Sequence, residues 1–576
     1  MSDHTSETPR PADAPEPSEA SGQAGTSERI AWSKASVPEP RDTTSEPPKV
    51  PGYAQRGGQP HPPNPWRQSS PQPSALSTLR PAAPAAIRGA TLCSVIVTAM
   101  LSALLLGDGL GPNALIVAVS AALGAFFAAR TAGRRLRPWT AFWAVGGLAL
   151  LAVPALRDAG WPVFLAVVSA VALGSLALHG SRSWLGVFLG SLGLFSSIAD
   201  GLAWGARGVR ARMTGSRGRL GVILRSVAVA IVLLIVFGAL FASADAAFAD
   251  VLGSLMPDVS LSGTPWRFLL FLVGLAGALA AAYAAAAPVR WDGITVRRGK
   301  PRGRLEWALP LVVLNLLFAV FVAVQLTVLL GGYDKVMAEP GLSYSAYARQ
   351  GFWQLLWATL LTLLVIALAL RWAPRGRGSD RTLVRSVLGV LCLLTLIVVA
   401  SALRRMDLYV DAYGLTRLRI SVAAVELWLG VVLVLIMAAG VFGARLLPRA
   451  VAASAAVGVL AFGLVSPDGL IAEQNVQRYR DGHSIDIGYL RGLSADAVPA
   501  LDTLPEPLRS CALMDIEGSL RSDDSSWYAT SWGEAQARDI LRKRSPADPT
   551  RSCSGSRTGI GGSDRDGDEN DPYDPY

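Results

Sequence analysis

Apolar and polar positions along this chain are sorted into long blocks rather than a short alternation. Predominantly apolar runs fall near residues 88–107, 112–129, 139–156, 161–178, 184–203, 221–241, 266–287, 307–330, 352–371, 384–403, 420–442 and 447–465. About 20 such residues of helix cross a bilayer's hydrocarbon core, so each run is a candidate span. The pattern predicts an all-α, polytopic helical membrane bundle of 11 to 12 spans, occupying residues 88–465. Residues 1–87 hold 17 of the 37 prolines and no apolar run long enough for a core, which predicts a disordered cytoplasmic head. Residues 466–544 turn polar but keep a helical rhythm, which predicts a small outward tail of short helices. Residues 545–576, rich in Ser, Gly, Asp and Pro, read as a disordered end.

Charge then orients the blocks. The connections Arg130 to Arg137, Arg207 to Arg219, Arg290 to Arg304 and Arg371 to Arg385 are Arg-rich and belong on the cytoplasmic side, whereas 242–265 and 331–351 do not. Three runs lie between the first two Arg-rich connections, yet an even number must cross. The Gly- and Ser-rich run 184–203, which carries Asp200, is read as re-entrant, interfacial or buried. Eleven spans follow, with the N-terminus cytoplasmic and the C-terminus outside the plasma membrane.

Composition excludes a soluble enzyme: 51% of the 576 residues are hydrophobic and 17% charged, against about 25% charged in soluble domains. The net charge of +10 sits in the short connections, a positive-inside signature rather than a nucleic-acid footprint. The expected partner is the lipid bilayer. A protein partner could use the outward tail or the head, where Pro60 to Trp66 reads either as a polyproline ligand or as plain tether. Four cysteines without a CxxC pair and four scattered histidines supply no metal or cofactor site. Phosphate-loop, nucleophile-elbow, HExxH and dinucleotide signatures are absent, which favours a non-enzymatic protein; a membrane-embedded transferase stays open as a third reading, with Asp245, Asp407 and Asp411 as its only obvious acids. Cys511 and Cys553 both fall in the polar C-terminal part, where they read either as a disulfide or as two free thiols.

Candidate chemistry concentrates between two strong apolar runs, from Arg404 to Arg419. If this stretch is helical, Arg404, Asp407 and Asp411 share one face, and Arg405, Tyr409 and Tyr413 another. Arg417 and Arg419 follow, and Glu426 lies about two turns into the next apolar run on the face of Arg419. A carboxylate at that depth is costly unless paired or wet. One reading is an anion or lipid-headgroup site with Arg405, Arg417 and Arg419 as donors and Glu426 as orienter or proton acceptor. The other is a buried polar staple between helices. Asp245 reads as a cap or a partner for an outward arginine, Asn315 and Gln325 as interhelical hydrogen bonders, and Ser494 as an N-cap. Ile485, Tyr489, Leu490 and Leu493 read as one amphipathic helix. Small residues at Gly274, Ala278, Ala282 and Ala286 suit close helix approach, and Trp266, Trp307, Trp353, Trp357 and Trp372 read as interfacial anchors.

The segments Ser243 to Phe248, Arg405 to Tyr409 and Tyr413 to Arg419 carry a resemblance, together with Asn475, Arg478, Asp486, Tyr489-Leu490, Leu493-Ser494 and Asp496 to Leu501. Over roughly residues 220–545 the chain resembles a family of bacterial multi-pass membrane proteins defined by a domain of unknown function, of the type numbered 4153 or 4173. Trp527, Trp532 and Arg538 stand where similar proteins have two tryptophans and an Arg-rich helix. The resemblance implies a fold and no activity. Two functions are expected: a non-enzymatic module for sensing, scaffolding or assisting a partner, or a transporter or lipid- and anion-handling protein using the Arg/Glu cluster.

Overall fold

The structure is a computed structural model that describes residues 84–215 apart from 136, 264–294, 303–330, 352–372, 378–522 and 525–547, with isolated helical positions between 226 and 237. Among the described residues every regular element is a helix. The membrane part comprises α1 (Gly89–Leu105), α2 (Pro112–Thr131), α3 (Pro138–Leu150) with its short continuation α4 (Val153–Leu156), and α5 (Gly160–His179). Three shorter pieces follow, α6 (Trp184–Ser191), α7 (Gly193–Ser196) and α8 (Ile198–Gly215). Then come α9 (Thr264–Ala286), α10 (Arg304–Leu330), α11 (Phe352–Trp372), α12 (Gly378–Tyr413), α13 (Arg417–Phe442) and α14 (Leu447–Leu464). Nine helices among the described residues are long and apolar enough to cross a membrane, and α1 is an apolar helix of 17 residues. The run at 221–241 lies almost wholly outside the described residues.

Run 184–203 is not one helix. Its glycines and serines break it at Leu192 and Ser197, and Ser175 on α5 bridges the break, donating to the Gly190 carbonyl at 2.5 Å and accepting from the Leu194 amide at 2.9 Å. Backbone groups freed inside a membrane must find such partners. α8 then runs past the C-terminal end of α9, where Trp204 meets Tyr283.

Packing follows small residues. α1, α2 and α9 lie against one another; Ala278, Ala282 and Ala285 are buried, and a β-carbon on Gly274 would collide with Ser102 of α1. Asn315 donates to the Val387 carbonyl at 3.0 Å and Gln325 accepts from Ser401 at 3.3 Å, each tying α10 to α12. Trp307 departs from expectation: it is 5% exposed in the core shared by α10, α11, α12 and α13, not at a lipid interface.

The connections sort onto two ends. At one end Arg134 donates to the Ala285 carbonyl, Arg449 to the carbonyls of Gly180 and Ser181, and Asp292 accepts from the amides of Arg182 and Ser183. At the other lie the connections 106–111, 157–159 and 414–416, and the tail packs there. The tail consists of α15 (Pro467–Arg480), α16 (Ile487–Leu490), a 3₁₀ turn (Ala495–Ala497), α17 (Val498–Leu501), α18 (Leu508–Ser522) and α19 (Trp532–Lys543). It has its own core around Ile471, Leu490, Leu501 and Leu513, against which Leu415 and Ile420 of the bundle also pack.

Two local readings of the tail need correction. The amphipathic stretch from Ile485 to Leu493 forms only the one-turn α16, because Asp486 caps it through the Tyr489 amide and the chain turns at Arg491; its apolar residues still enter the core. Ser494 makes no side-chain cap, and its amide instead donates to Asp468 at 3.0 Å.

Candidate functional site

The stretch from Arg404 to Tyr413 is helical throughout, as the last turns of α12. At 36 residues and about 1.5 Å per residue, α12 is roughly 54 Å long, well beyond a hydrocarbon core of about 30 Å. The ionisable residues therefore ride on its overhang. Arg404 pairs with Asp407 three residues on at 2.7 Å, with both side chains at least half exposed. Asp411 is exposed, and Arg405 is half-buried among its own partners.

The helix ends at Gly414, whose φ of +81° closes the last turn as left-handed caps do. A β-carbon there would run into Asn475 of α15. Thr416 then caps α13 through the Arg419 amide. The tail holds this corner from outside: Arg478 donates to the carbonyls of Asp411 and Ala412 at 2.9 and 2.8 Å, and Asn475 to that of Leu415 at 2.8 Å. The orphan carbonyls of a helix end are thus met by tail side chains. Arg419 donates to the Gly414 carbonyl and lies over the Tyr409 ring, 4.3 Å from its centroid, with Tyr413 at 5.9 Å. That is a cation–π stack.

Arg417 turns the other way and makes a two-pronged pair with Asp468, at 2.9 Å from Nε and 2.6 Å from Nη2. Asp468, in the first turn of α15, is fully buried. It also accepts from Trp161 Nε1 at 3.3 Å and from the Ser494 amide. Arg417 further donates to the Gly492 carbonyl at 3.0 Å, and its amide to Tyr489 Oη at 2.7 Å. Burial works against the charged form of Asp468, but the Arg417 guanidinium and the Ser494 amide outweigh it and hold the pKa below the usual carboxylate value.

Three further carboxylates bind the tail to the bundle. Asp496 Oδ2 accepts from the amides of Asp158 and Ala159 at 3.0 and 3.3 Å, and Asp158 Oδ2 accepts in return from the Ala495 amide at 3.0 Å. Asp496 Oδ1 is buried without a hydrogen-bond partner. Burial, reinforced by the Asp158 charge, raises its pKa despite the two amides. Asp108, between α1 and α2, accepts from Tyr528 Oη at 2.8 Å and pairs with Arg267 at 3.1 Å. The Tyr528 hydrogen bond, then Arg267, lowers its pKa.

Glu426 stands apart from the arginines. It is fully buried in α13, and its Oε1 accepts from Thr359 Oγ1 of α11 at 3.1 Å while Oε2 has no hydrogen-bond partner. The geometry therefore disperses the residues of the sequence cluster, with Arg417 on Asp468, Arg419 on two tyrosines and Glu426 on Thr359. Sequence reasoning overlooked Asp468, Asp158 and Asp108, the carboxylates the tail contacts use. Asp245 and Cys553 lie outside the described residues. Cys511, in the tail core, is disulfide-bonded, and the thiols of Cys93 and Cys392 are free. Among the described residues no group of three His, Cys, Asp or Glu could hold a metal ion.

Against known families, a model described as a domain of unknown function, DUF4153, matches residues 145–504. No curated protein matches, and no solved structure does.

Proposed function

The chain belongs to the DUF4153 family, and from that premise we propose that this membrane protein is a non-enzymatic module which presents its tail as a rigid platform to a protein partner. The observation that carries the reading is the pair between Arg417 and the buried Asp468. A guanidinium whose planar fork is taken up by a buried carboxylate is a fixed joint rather than a vacant anion site. Arg478, Asp496 and Asp108 add three more attachments at separate corners of the bundle. A tail fastened at four points holds one orientation, which a platform needs and a tether does not. The proposed setting is the plasma membrane, with the N-terminus cytoplasmic and the tail outside; the Arg-rich character of the connections at the opposite end supports that orientation.

A photo-reactive amino acid placed singly at exposed tail positions, Asp481 and Trp527, tests the platform in intact cells. A discrete adduct of one mass at either position, lost when Arg417→Ala loosens the tail, is the expected result. Absence of any adduct, or a smear unaffected by Arg417→Ala, overturns the reading. The alternative, a transporter or lipid- and anion-handling protein, draws its support from Glu426, since an ionisable residue inside a membrane with an unpartnered oxygen is a functional position by default.

A further inference from the structure

A groove of about 460 Å³ runs along α15 on the tail side, at the point where α14 ends. Its near end is formed by Arg157 and Ser466, and one face of α15 continues it through Glu473, Gln477 and Arg480, with Thr503 opposite. These α15 residues follow at intervals of four and three, so their side chains line up along the groove. Of the groove's lining, Asp496 belongs to the attachments of the tail described above; its carboxylate is held by the amides of Asp158 and Ala159 and feels the charge of Arg157.

Ser466 is the unusual member. It is the one non-glycine with positive φ among the described residues, at +60°, and such backbone costs of order 1 kcal/mol and persists where the surroundings impose it. It stands at the N-cap of α15, where a serine Oγ ordinarily accepts from the first turn's amides. Here it makes no such cap. The residue is 5% exposed, and its Oγ has no hydrogen-bond partner. That oxygen lies over Gly469, a groove residue where a β-carbon would stand 3.0 Å from it and 3.2 Å from the Asp496 carbonyl. A buried hydroxyl left unsatisfied costs roughly 1–3 kcal/mol, and a ligand oxygen in the groove removes that cost.

Arg157 is fixed beside it, donating to the Leu464 carbonyl from Nε at 3.0 Å and from Nη2 at 2.7 Å. The guanidinium has five N–H groups, so hydrogens remain for the groove. A cation and a hydroxyl donor at the end of an apolar helix suit a phosphate; the carboxylate of Glu473 and the amide of Gln477, further out, suit hydrogen-bond donors. We propose that the groove binds a phosphate ester whose substituent carries hydroxyl or ammonium hydrogens, with the phosphate against Arg157 and Ser466 and the substituent against Glu473 and Gln477. A phospholipid headgroup and a soluble phosphate ester share this chemistry. The inference does not depend on the platform function.

Native mass spectrometry of the detergent-purified full chain tests it, with phosphatidylethanolamine, phosphatidylglycerol and phosphatidylcholine of equal chain length as probes. The phosphocholine headgroup has the phosphate but no N–H or O–H to donate. Expected is retention of the ethanolamine or glycerol lipid at least tenfold above the choline lipid, and loss of that preference in the exposed-site double variant Glu473→Ala/Gln477→Ala. Arg157→Gln lowers retention of all three about tenfold. Equal retention of the three lipids, unchanged by Glu473→Ala/Gln477→Ala, overturns the proposal. Competition by free phosphoethanolamine or glycerol phosphate assigns the site to a soluble ester. Failure to compete, with lipid preference intact, assigns it to the headgroup.

Discussion

Tyr528 donates its phenolic hydrogen to Asp108 across 420 positions of sequence, at 2.8 Å. The bond ties the last part of the tail to the first helical hairpin of the bundle, and Asn113 reinforces it by donating its amide to the Tyr528 carbonyl at 3.0 Å. Tyr528→Phe removes one hydrogen bond to a carboxylate that is 27% exposed, a loss of about 1 kcal/mol. Amide hydrogen exchange in residues 525–531 should quicken about fivefold while α15 keeps its protection. Unchanged exchange would mean that this corner of the tail is held without the phenol, by the Asn113 backbone contact and the Ser526 hydroxyl on Asp108.

Breaking the Arg417 joint should cost more. Arg417→Ala leaves Asp468 fully buried without its cation, and removing one member of such a pair costs roughly 3–5 kcal/mol when both are buried. Arg417 is 41% exposed on its side chain, so about 2–3 kcal/mol is expected. Thermal unfolding of the purified protein in detergent should fall by several degrees, and Asp468→Asn together with Arg417→Ala should recover part of it. An Arg417→Ala protein as stable as the parent would refute the joint.

Acid should separate Asp468 from Asp496. The Asp468 pKa is lowered on folding, so its contribution is present above the unfolded carboxylate pKa and is lost as pH falls through the folded value. The Asp496 pKa is raised, so its contribution is present below the unfolded value and is lost as pH rises through the folded one. Asp468→Asn should therefore destabilise at neutral pH, by less under acid, whereas Asp496→Asn should be neutral or stabilising at neutral pH. Melting midpoints from pH 3 to 8 for the two variants check the opposite slopes.

Glu426→Gln preserves the oxygen that accepts from Thr359 and puts an amide where a carboxylate oxygen has no partner. Folded yield, read by fluorescence-detected size exclusion, should match the parent within about twofold, while Glu426→Lys should abolish it. If Glu426→Gln folds normally yet abolishes a phenotype of the intact gene, the handling function displaces the platform.

Cys511 is disulfide-bonded; a bond to Cys553 predicts that both resist a maleimide-polymer reagent in denatured, unreduced protein, while Cys93 and Cys392 react. Two additions before reduction and four after are expected. Four additions in both states would mean that the pair does not form in the cell.

Much of this architecture is legible in the sequence because the bilayer imposes length and polarity on each crossing: nine of the twelve apolar runs appear as long helices. Asn315 and Gln325 were legible for the same reason, since a lone amide in an apolar run needs a neighbouring helix. The partners of charged groups were not. Asp468 lies 51 residues from Arg417 and reads locally as an ordinary first-turn acid, and nothing in the spacing says that Trp161 and Ser494 converge on it. Trp307 misled because a tryptophan at a segment end looks alike whether it faces lipid or a neighbouring helix.

The overhang of α12 has a mechanical meaning. A continuous helix whose last ten residues emerge about 15 Å beyond the apolar run is a lever with its fulcrum in the lipid. Reorienting it by 10° moves its tip by roughly 2–3 Å over that length, and the tip is the end Arg478 grips through the carbonyls of Asp411 and Ala412. With the tail fastened at three further corners, a tilt of α12 forced by thinning or thickening of the bilayer would load that grip rather than carry the tail along.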